Sequence, residues 1–162
     1  MSTFYICPTP IGNLEDISER VIKTLQSVDV IYCEDTRRAR KLIDHFSIST
    51  PLKSYFIGNE LDKISEIEDA LIKDKDVAII SDAGTPLLSD PGRLLVNQCI
   101  KNDIQITPIP GVSSITSAIS VSGFKDQFLF YGFLPKTVNE LEKTLSSLCQ
   151  YPVSYTHLTL PT

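Results

Sequence analysis

The chain has 162 residues, a formal net charge of −5, and a composition that is 42% hydrophobic and 22% charged. That length suits one ordinary domain, or one domain and the opening of another, and it is enough to bury a sizeable core. The composition excludes a disordered or fibrous chain, and the acidic balance argues against a general nucleic-acid glue, whose affinity comes from Lys and Arg on phosphates.

Phe4-Tyr5-Ile6-Cys7 is an apolar run that predicts a first strand. No basic leader precedes it, so no signal peptide is expected. No apolar run approaches the roughly 18 residues a membrane span needs. A cytoplasmic protein with reduced thiols is the expectation. Its four cysteines, Cys7, Cys33, Cys99 and Cys149, are far apart and form no C-x-x-C pair, so no metal site is expected. Cys7 and Cys33 end apolar runs and read as small core residues.

Ile17, Val21, Ile22 and Leu25 fall at helical spacing, and Val28 to Cys33 reads as a second strand. Thr36 can cap the next helix, which is basic early and apolar late, at Leu42, Ile43 and Phe46. A weaker strand is expected near Leu52 to Tyr55, then a helix marked by Ile64, Ile67, Leu71 and Ile72. Val77-Ala78-Ile79-Ile80 is a fully apolar strand; a helix from Arg93 to Lys101, a strand from Ile104 to Thr107 and a helix from Ser113 to Val121 follow. Alternation of this kind predicts an α/β fold, a mostly parallel sheet with helices on both faces.

Residues 123–127 break the pattern. Phe128 to Phe133 predicts an aromatic strand, and Leu141, Leu145 and Leu148 a helix, read together as the start of a second α/β domain. The expected organisation is therefore residues 1–122, then 123–150, then a non-family tail over 151–162 that has no periodicity.

Ligands of an open parallel sheet bind outside the carboxyl ends of its strands, so the loops there carry the chemistry. After the first strand, Pro8-Thr9-Pro10-Ile11-Gly12-Asn13-Leu14 is a stiff turn, which a purely structural role would also explain. After the second, Glu34-Asp35-Thr36-Arg37-Arg38 sets two carboxylates beside two guanidiniums. Either Asp35 and Thr36 cap a helix with a solvated basic face, or the arginines take phosphates bidentately. After the fourth, Ser81-Asp82-Ala83-Gly84-Thr85-Pro86-Leu87-Leu88-Ser89-Asp90-Pro91-Gly92 is a small-residue loop whose backbone can approach a ligand. Asp82 and Asp90 could accept hydrogen bonds there, and Asp90 could equally cap a helix with Pro91 at its first position. After the fifth, Pro108 to Ser114 leads rigidly into a helix that Ser113 can cap.

These loops, with Gly132-Phe133-Leu134-Pro135, resemble the tetrapyrrole methylase superfamily over about residues 3 to 148. Within it the likeness is strongest to the branch that methylates a cytidine ribose 2′ oxygen in small-subunit ribosomal RNA. The resemblance implies two α/β domains, a homodimer, and S-adenosylmethionine as cofactor. It implies cofactor contacts from Gly84, Thr85, Pro86, Leu87, Leu88 and Ser89, with Ser113 and Ser114 nearby, and with Phe133 and Leu134 closing over. The segment with Arg37, Arg38, Arg40 and Lys41 would face ribosomal RNA. Against the family pattern the second domain is incomplete, so a chain that folds and binds nothing tightly is one alternative.

Methyl transfer to a ribose hydroxyl is an in-line displacement that needs alignment and a proton acceptor rather than a metal. Asp35, beside the arginines, is the first candidate for that acceptor and Asp82 the second. A tetrapyrrole C-methyltransferase is the rival within the superfamily, and the basic cluster from Arg37 to Lys41 speaks against it. A Rossmann-type nucleotide domain fails on the first loop, which has prolines where that fingerprint needs glycine.

Overall fold

The structure, a computed structural model, describes residues 2–123 and 128–149. Residues 124–127 of the expected break over 123–127, and the expected tail over 151–162, lie outside those residues.

Five short strands form one sheet in the order β3-β2-β4-β1-β5: β1 (Thr3–Cys7), β2 (Val30–Cys33), β3 (Leu52–Ser54), β4 (Val77–Ile80) and β5 (Gln105–Pro108). All four neighbouring pairs are parallel. β2 and β4 are buried along their whole length, as continuous apolar runs covered on both faces should be.

The helices divide between the faces. Helices α1 (Glu19–Ser27) and α2 (Thr36–His45) contribute Val21, Leu25, Ala39 and Ile43 to a core with Cys7, Ile31, Cys33, Ala78 and Ile80. Helices α3 (Glu60–Ile72) and α4 (Arg93–Lys101) contribute Ile67, Leu71, Leu95 and Cys99 to the opposite core with Phe4, Tyr32, Val77 and Ile79. Side chains alternate along β4, so one apolar strand serves both cores. The helix after β4 thus lies on the face opposite those after its two neighbours β1 and β2, and chains diverge on either side of its carboxyl end. Such a divergence is where open α/β sheets bind ligands.

Boundaries moved where a cap outweighed apolar spacing. α1 begins after Ser18, whose hydroxyl accepts from the Val21 amide at 3.2 Å, rather than at Ile17. The cap of α2 is Asp35, not Thr36: the Asp35 carboxylate accepts from the Arg37 amide at 2.8 Å, and Thr36 is the first helical residue. The cap of α4 is Gly92, so Asp90 and Pro91 precede the helix instead of opening it.

The chain divides into two compact units, Met1–Ser117 and Ala118–Thr162, with α5 (Ser114–Ser122) running across the division. The second unit contains α6 (Val138–Leu148), at the helix expected from Leu141, Leu145 and Leu148. The strand expected over Phe128 to Phe133 is absent. Among the described residues this run pairs with no neighbour, and a strand exists only through its ladder. No helix among the described residues is long and apolar enough to cross a membrane.

Candidate functional site

Three loops at the carboxyl edge of the sheet are bound to one another. Thr9, after β1, and Gly84, after β4, exchange two backbone hydrogen bonds of 2.9 Å each. The Thr9 hydroxyl donates to the Ser81 carbonyl at 2.9 Å, and the Ser81 hydroxyl donates to the Gly84 carbonyl at 3.0 Å. Thr9, Ser81 and Gly84 are all buried, where such bonds are costly to lose. The loop after β5 joins them: the Thr85 hydroxyl donates to the Val112 carbonyl at 3.1 Å. At Gly111 a Cβ would sit 2.3 Å from Pro8 Cγ, so that loop needs bare backbone to pass the first one.

The stretch between Gly84 and Gly92 holds an unusual backbone. Leu87 and Ser89 are left-handed, with φ of 71° and 69°, which costs an L-residue roughly 1 kcal/mol or more. Strain of this kind persists where the surroundings over-determine it. At Gly92, φ is 123° and a Cβ would fall 2.1 Å from Leu87 Cδ2, so Leu87 packs directly onto that glycine. The Gly92 amide donates to Glu60 Oε1 at 2.9 Å, and the same oxygen accepts from the Tyr55 hydroxyl at 2.8 Å.

Charges crowd the same edge. Arg37 donates through Nε and Nη2 to both oxygens of Asp35, at 3.3 and 3.0 Å. These bonds hold the Asp35 carboxyl down at about 2, the wrong direction for a proton acceptor at neutral pH. Arg38 Nη1 lies 3.0 Å from Asp82 Oδ2 and ties the start of α2 to the loop after β4. Arg40 and Lys41 are exposed and form no ion pair among the described residues.

Asp90 behaves differently. It is half-buried, and it lines a small pocket at the ends of β2 and β4 with Glu34, Tyr55, Ser81, Pro86 and Pro91. Burial, followed by the neighbouring charges of Glu34 and Asp82, pushes its carboxyl up to about 6. From the sequence Asp90 is expected to be a cap or a hydrogen-bond acceptor. Its titration depends first on burial and then on Glu34 and Asp82, which the fold brings beside it, and no local motif signals that.

Gly84 through Ser89 thus form one loop, joined to the entry of α5 where Ser113 and Ser114 sit. The Ser113 carbonyl accepts from the Ser117 amide at 3.1 Å, in the manner of a helix-capping position. Arg37, Arg38, Arg40 and Lys41 all occur within the first six residues of α2. Phe133, exposed, and Leu134, half-buried, belong to the second unit. Glu60 was missed altogether, since its partner Gly92 lies 32 positions on and no local pattern marks the pair.

The model of the Tetrapyrrole (Corrin/Porphyrin) Methylases matches residues 3–150. The chain belongs to the tetrapyrrole methylase family. Solved structures share the fold at low identity. A diphthine synthase matches with a TM-score of 0.61 and 16% identity, over 77% of this chain and 50% of that one. A cobalt precorrin-4 methyltransferase matches at 0.59 and 20%, over 74% and 50%. Sequence relatives within the family are much nearer. The ribosomal RNA small subunit methyltransferase I of Thermotoga maritima is 47% identical over 149 residues, which is 91% of this chain and 67% of that protein. Its namesake in Vibrio cholerae is 48% identical over 132 residues, 81% of this chain and 46% of that one. The chain spans between about half and 71% of the length of these and similar relatives.

Proposed function

We infer that this chain carries the cofactor-loop domain of a methyltransferase that acts on small-subunit ribosomal RNA. The transfer is to the 2′ hydroxyl of a cytidine ribose, with S-adenosylmethionine as the methyl donor. The observation that carries this reading is the 3.0 Å pair between Arg38 and Asp82, which joins the basic start of α2 to the loop after β4. A phosphate-directed segment and a ligand loop built as one unit suit an enzyme that must align a nucleic-acid nucleophile with a small donor. Family membership and relatives at 41–48% identity support the same reading.

The loop fits a cofactor held through main chain. Gly84, Thr85 and Ser89 are small, Leu87 and Ser89 turn the backbone left-handed, and bonds to Thr9 and Val112 fix the near end. When bound, S-adenosylmethionine supplies a methyl group on an electrophilic sulfonium. The residues of the loop orient it, with Ser113 and Ser114 at the neighbouring helix entry. Phe133 and Leu134 enter the proposal on the family resemblance alone.

RNA phosphates would meet Arg40 and Lys41 first, and Arg37 and Arg38 by exchange with their carboxylate partners. The ribose proton needs an acceptor near neutral pH. Asp90, pushed up to about 6, suits that task better than Asp35, which caps α2 and is held at about 2. Asp82 is the other candidate, once Arg38 leaves it for a phosphate. A cytoplasmic homodimer completes the proposal on the same resemblance, and sedimentation equilibrium tests the dimer.

The test is methyl transfer from labelled S-adenosylmethionine to unmethylated small ribosomal subunits, with the label mapped by alkali-resistant cleavage. Label at a cytidine ribose supports the reading. Label on a tetrapyrrole instead would establish the rival C-methyltransferase. Absence of heat on calorimetric titration with S-adenosylmethionine or S-adenosylhomocysteine would establish a chain that folds without binding cofactor.

A further inference from the structure

Glu60 stands in the first turn of α3, where the helix dipole favours a carboxylate. The turn before it is held by Asn59, whose side-chain oxygen accepts from the Phe56 amide at 2.8 Å and whose amide donates to the Ser54 carbonyl at 3.3 Å. From that fixed base one oxygen, Oε1, takes two donors from different segments: the Tyr55 hydroxyl at 2.8 Å and the Gly92 amide at 2.9 Å. Burial and the acceptor together push the Tyr55 phenol above its ordinary range, so it remains a donor.

Gly92 is the far end of the loop whose near end is fastened by Thr9. With φ at 123° and no Cβ, its conformation is not selected by its own side chain, so an outside partner must hold it. Leu87 lies directly on it, as the 2.1 Å approach to an added Cβ shows. A shift of Gly92 therefore moves Leu87, which is itself in a left-handed conformation that relaxes if released. A charged acceptor on a backbone amide is among the stronger hydrogen bonds available to hold such a point.

We propose that Glu60 is the positioning residue for the loop from Gly84 to Gly92, clamping its far end at Gly92 and thereby seating Leu87 for ligand binding. The proposal rests on the reading of that loop as the cofactor loop. Glu60 acts through Gly92 and has no contact with cofactor of its own.

Glu60→Ala and Glu60→Gln separate this role from general stability, because the Gln oxygen can still accept the Gly92 amide. Two measurements are made on the chain: amide hydrogen exchange resolved by peptide, and S-adenosylhomocysteine affinity by calorimetry. In Glu60→Ala the peptide over 84–92 is expected to exchange at least about tenfold faster, with peptides of β1 and β4 unchanged, and affinity to fall at least about fivefold. Glu60→Gln is expected to restore most of both. Tyr55→Phe, which removes the other donor and leaves the Gly92 bond, is expected to keep slow exchange over 84–92.

Unchanged exchange over 84–92 in Glu60→Ala overturns the clamp. Faster exchange with unchanged affinity overturns its role in ligand binding. Equal loss in the Ala and Gln variants overturns the claim that the acceptor oxygen is what matters. Wild-type chain that binds no S-adenosylhomocysteine overturns the cofactor reading and the proposal with it, an outcome distinct from the other three.

Discussion

Arg38 Nη1 and Asp82 Oδ2 lie 3.0 Å apart although 44 positions separate them in the chain. The guanidinium side of the pair is exposed, so its net contribution to stability is small, about 0.5 kcal/mol. On the proposed reading its weight is functional. Arg38→Ala is expected to shift the denaturation midpoint little while raising the KM for small ribosomal subunits about tenfold. The KM for S-adenosylmethionine should stay within twofold. Steady-state kinetics with each substrate varied in turn checks this, and equal effects on both would remove α2 from RNA binding.

Asp90 gives a pH signature of definite sign. Its folded-state value, about 6, is above the ordinary 3.8, so the folded protein binds the proton more tightly than the unfolded chain. Ionisation therefore costs stability as pH rises through 6, and no cost remains below about 4. Asp90→Asn is expected to stabilise by roughly 1 kcal/mol at pH 8, the shift being discounted for partial exposure, and by nothing at pH 4. Urea melts at pH 8, 6 and 4 measure it. A constant difference across the three would remove the titration.

Asp35 has the opposite sign. Its carboxyl is lowered from 3.8 to about 2 by Arg37, so its contribution is present above pH 4 and lost as pH falls toward 2. Asp35→Asn is expected to keep the helix cap, since Asn caps nearly as well, and to flatten the acid limb of the stability profile. An unchanged acid limb in pH-dependent circular dichroism would count against the Arg37 pairing.

Gly92→Ala must place a Cβ on Leu87 Cδ2 and hold a φ of 123°, two separate penalties. A loss of roughly 2–4 kcal/mol in the denaturant midpoint is expected. Thr9→Val keeps the shape but deletes the buried donor to the Ser81 carbonyl, for a loss of about 1–2 kcal/mol. Equilibrium unfolding of both variants at one pH settles the order of the two effects.

The cysteines should separate by burial. Cys7 and Cys33 are pushed up to about 12 and Cys99 to about 11, burial being the main cause, whereas Cys149 is exposed. An aromatic disulfide reagent at pH 8 is expected to titrate Cys149 fast and the other three only on unfolding. Rapid labelling of Cys7 would show that β1 opens.

What was readable in the sequence was local. Val77-Ala78-Ile79-Ile80 announced a strand buried on both sides because each side chain alone states a preference for a dry environment. Arg93 to Lys101 announced α4 because helical spacing is written within nine consecutive residues. The motifs after the strands fall together in space, since a parallel sheet brings the carboxyl ends of its strands to one edge.

Partners across the chain were not readable. Asp35 rather than Thr36 is the cap, and its carboxylate accepts from both the amide and the guanidinium of Arg37. Gly92 rather than Asp90 opens α4 because Leu87 and Glu60 fix the backbone there. Phe128 to Phe133 has strand composition, but a strand needs a neighbour, and composition cannot supply one.

Over residues 3–122 the sequence by itself determined the succession of strands and helices, the apolar residues available for a core on each face of the sheet and the loops that follow the strands. These follow from side-chain polarity and backbone preference, which act over a few residues. Only the tertiary structure decided that Thr9 binds Gly84, that Arg38 meets Asp82 and that Glu60 holds Gly92. Those pairings span 32 to 75 positions, and a hydrogen bond needs donor and acceptor within about 3 Å and well aligned, so they exist only once the folded sheet has brought the groups together.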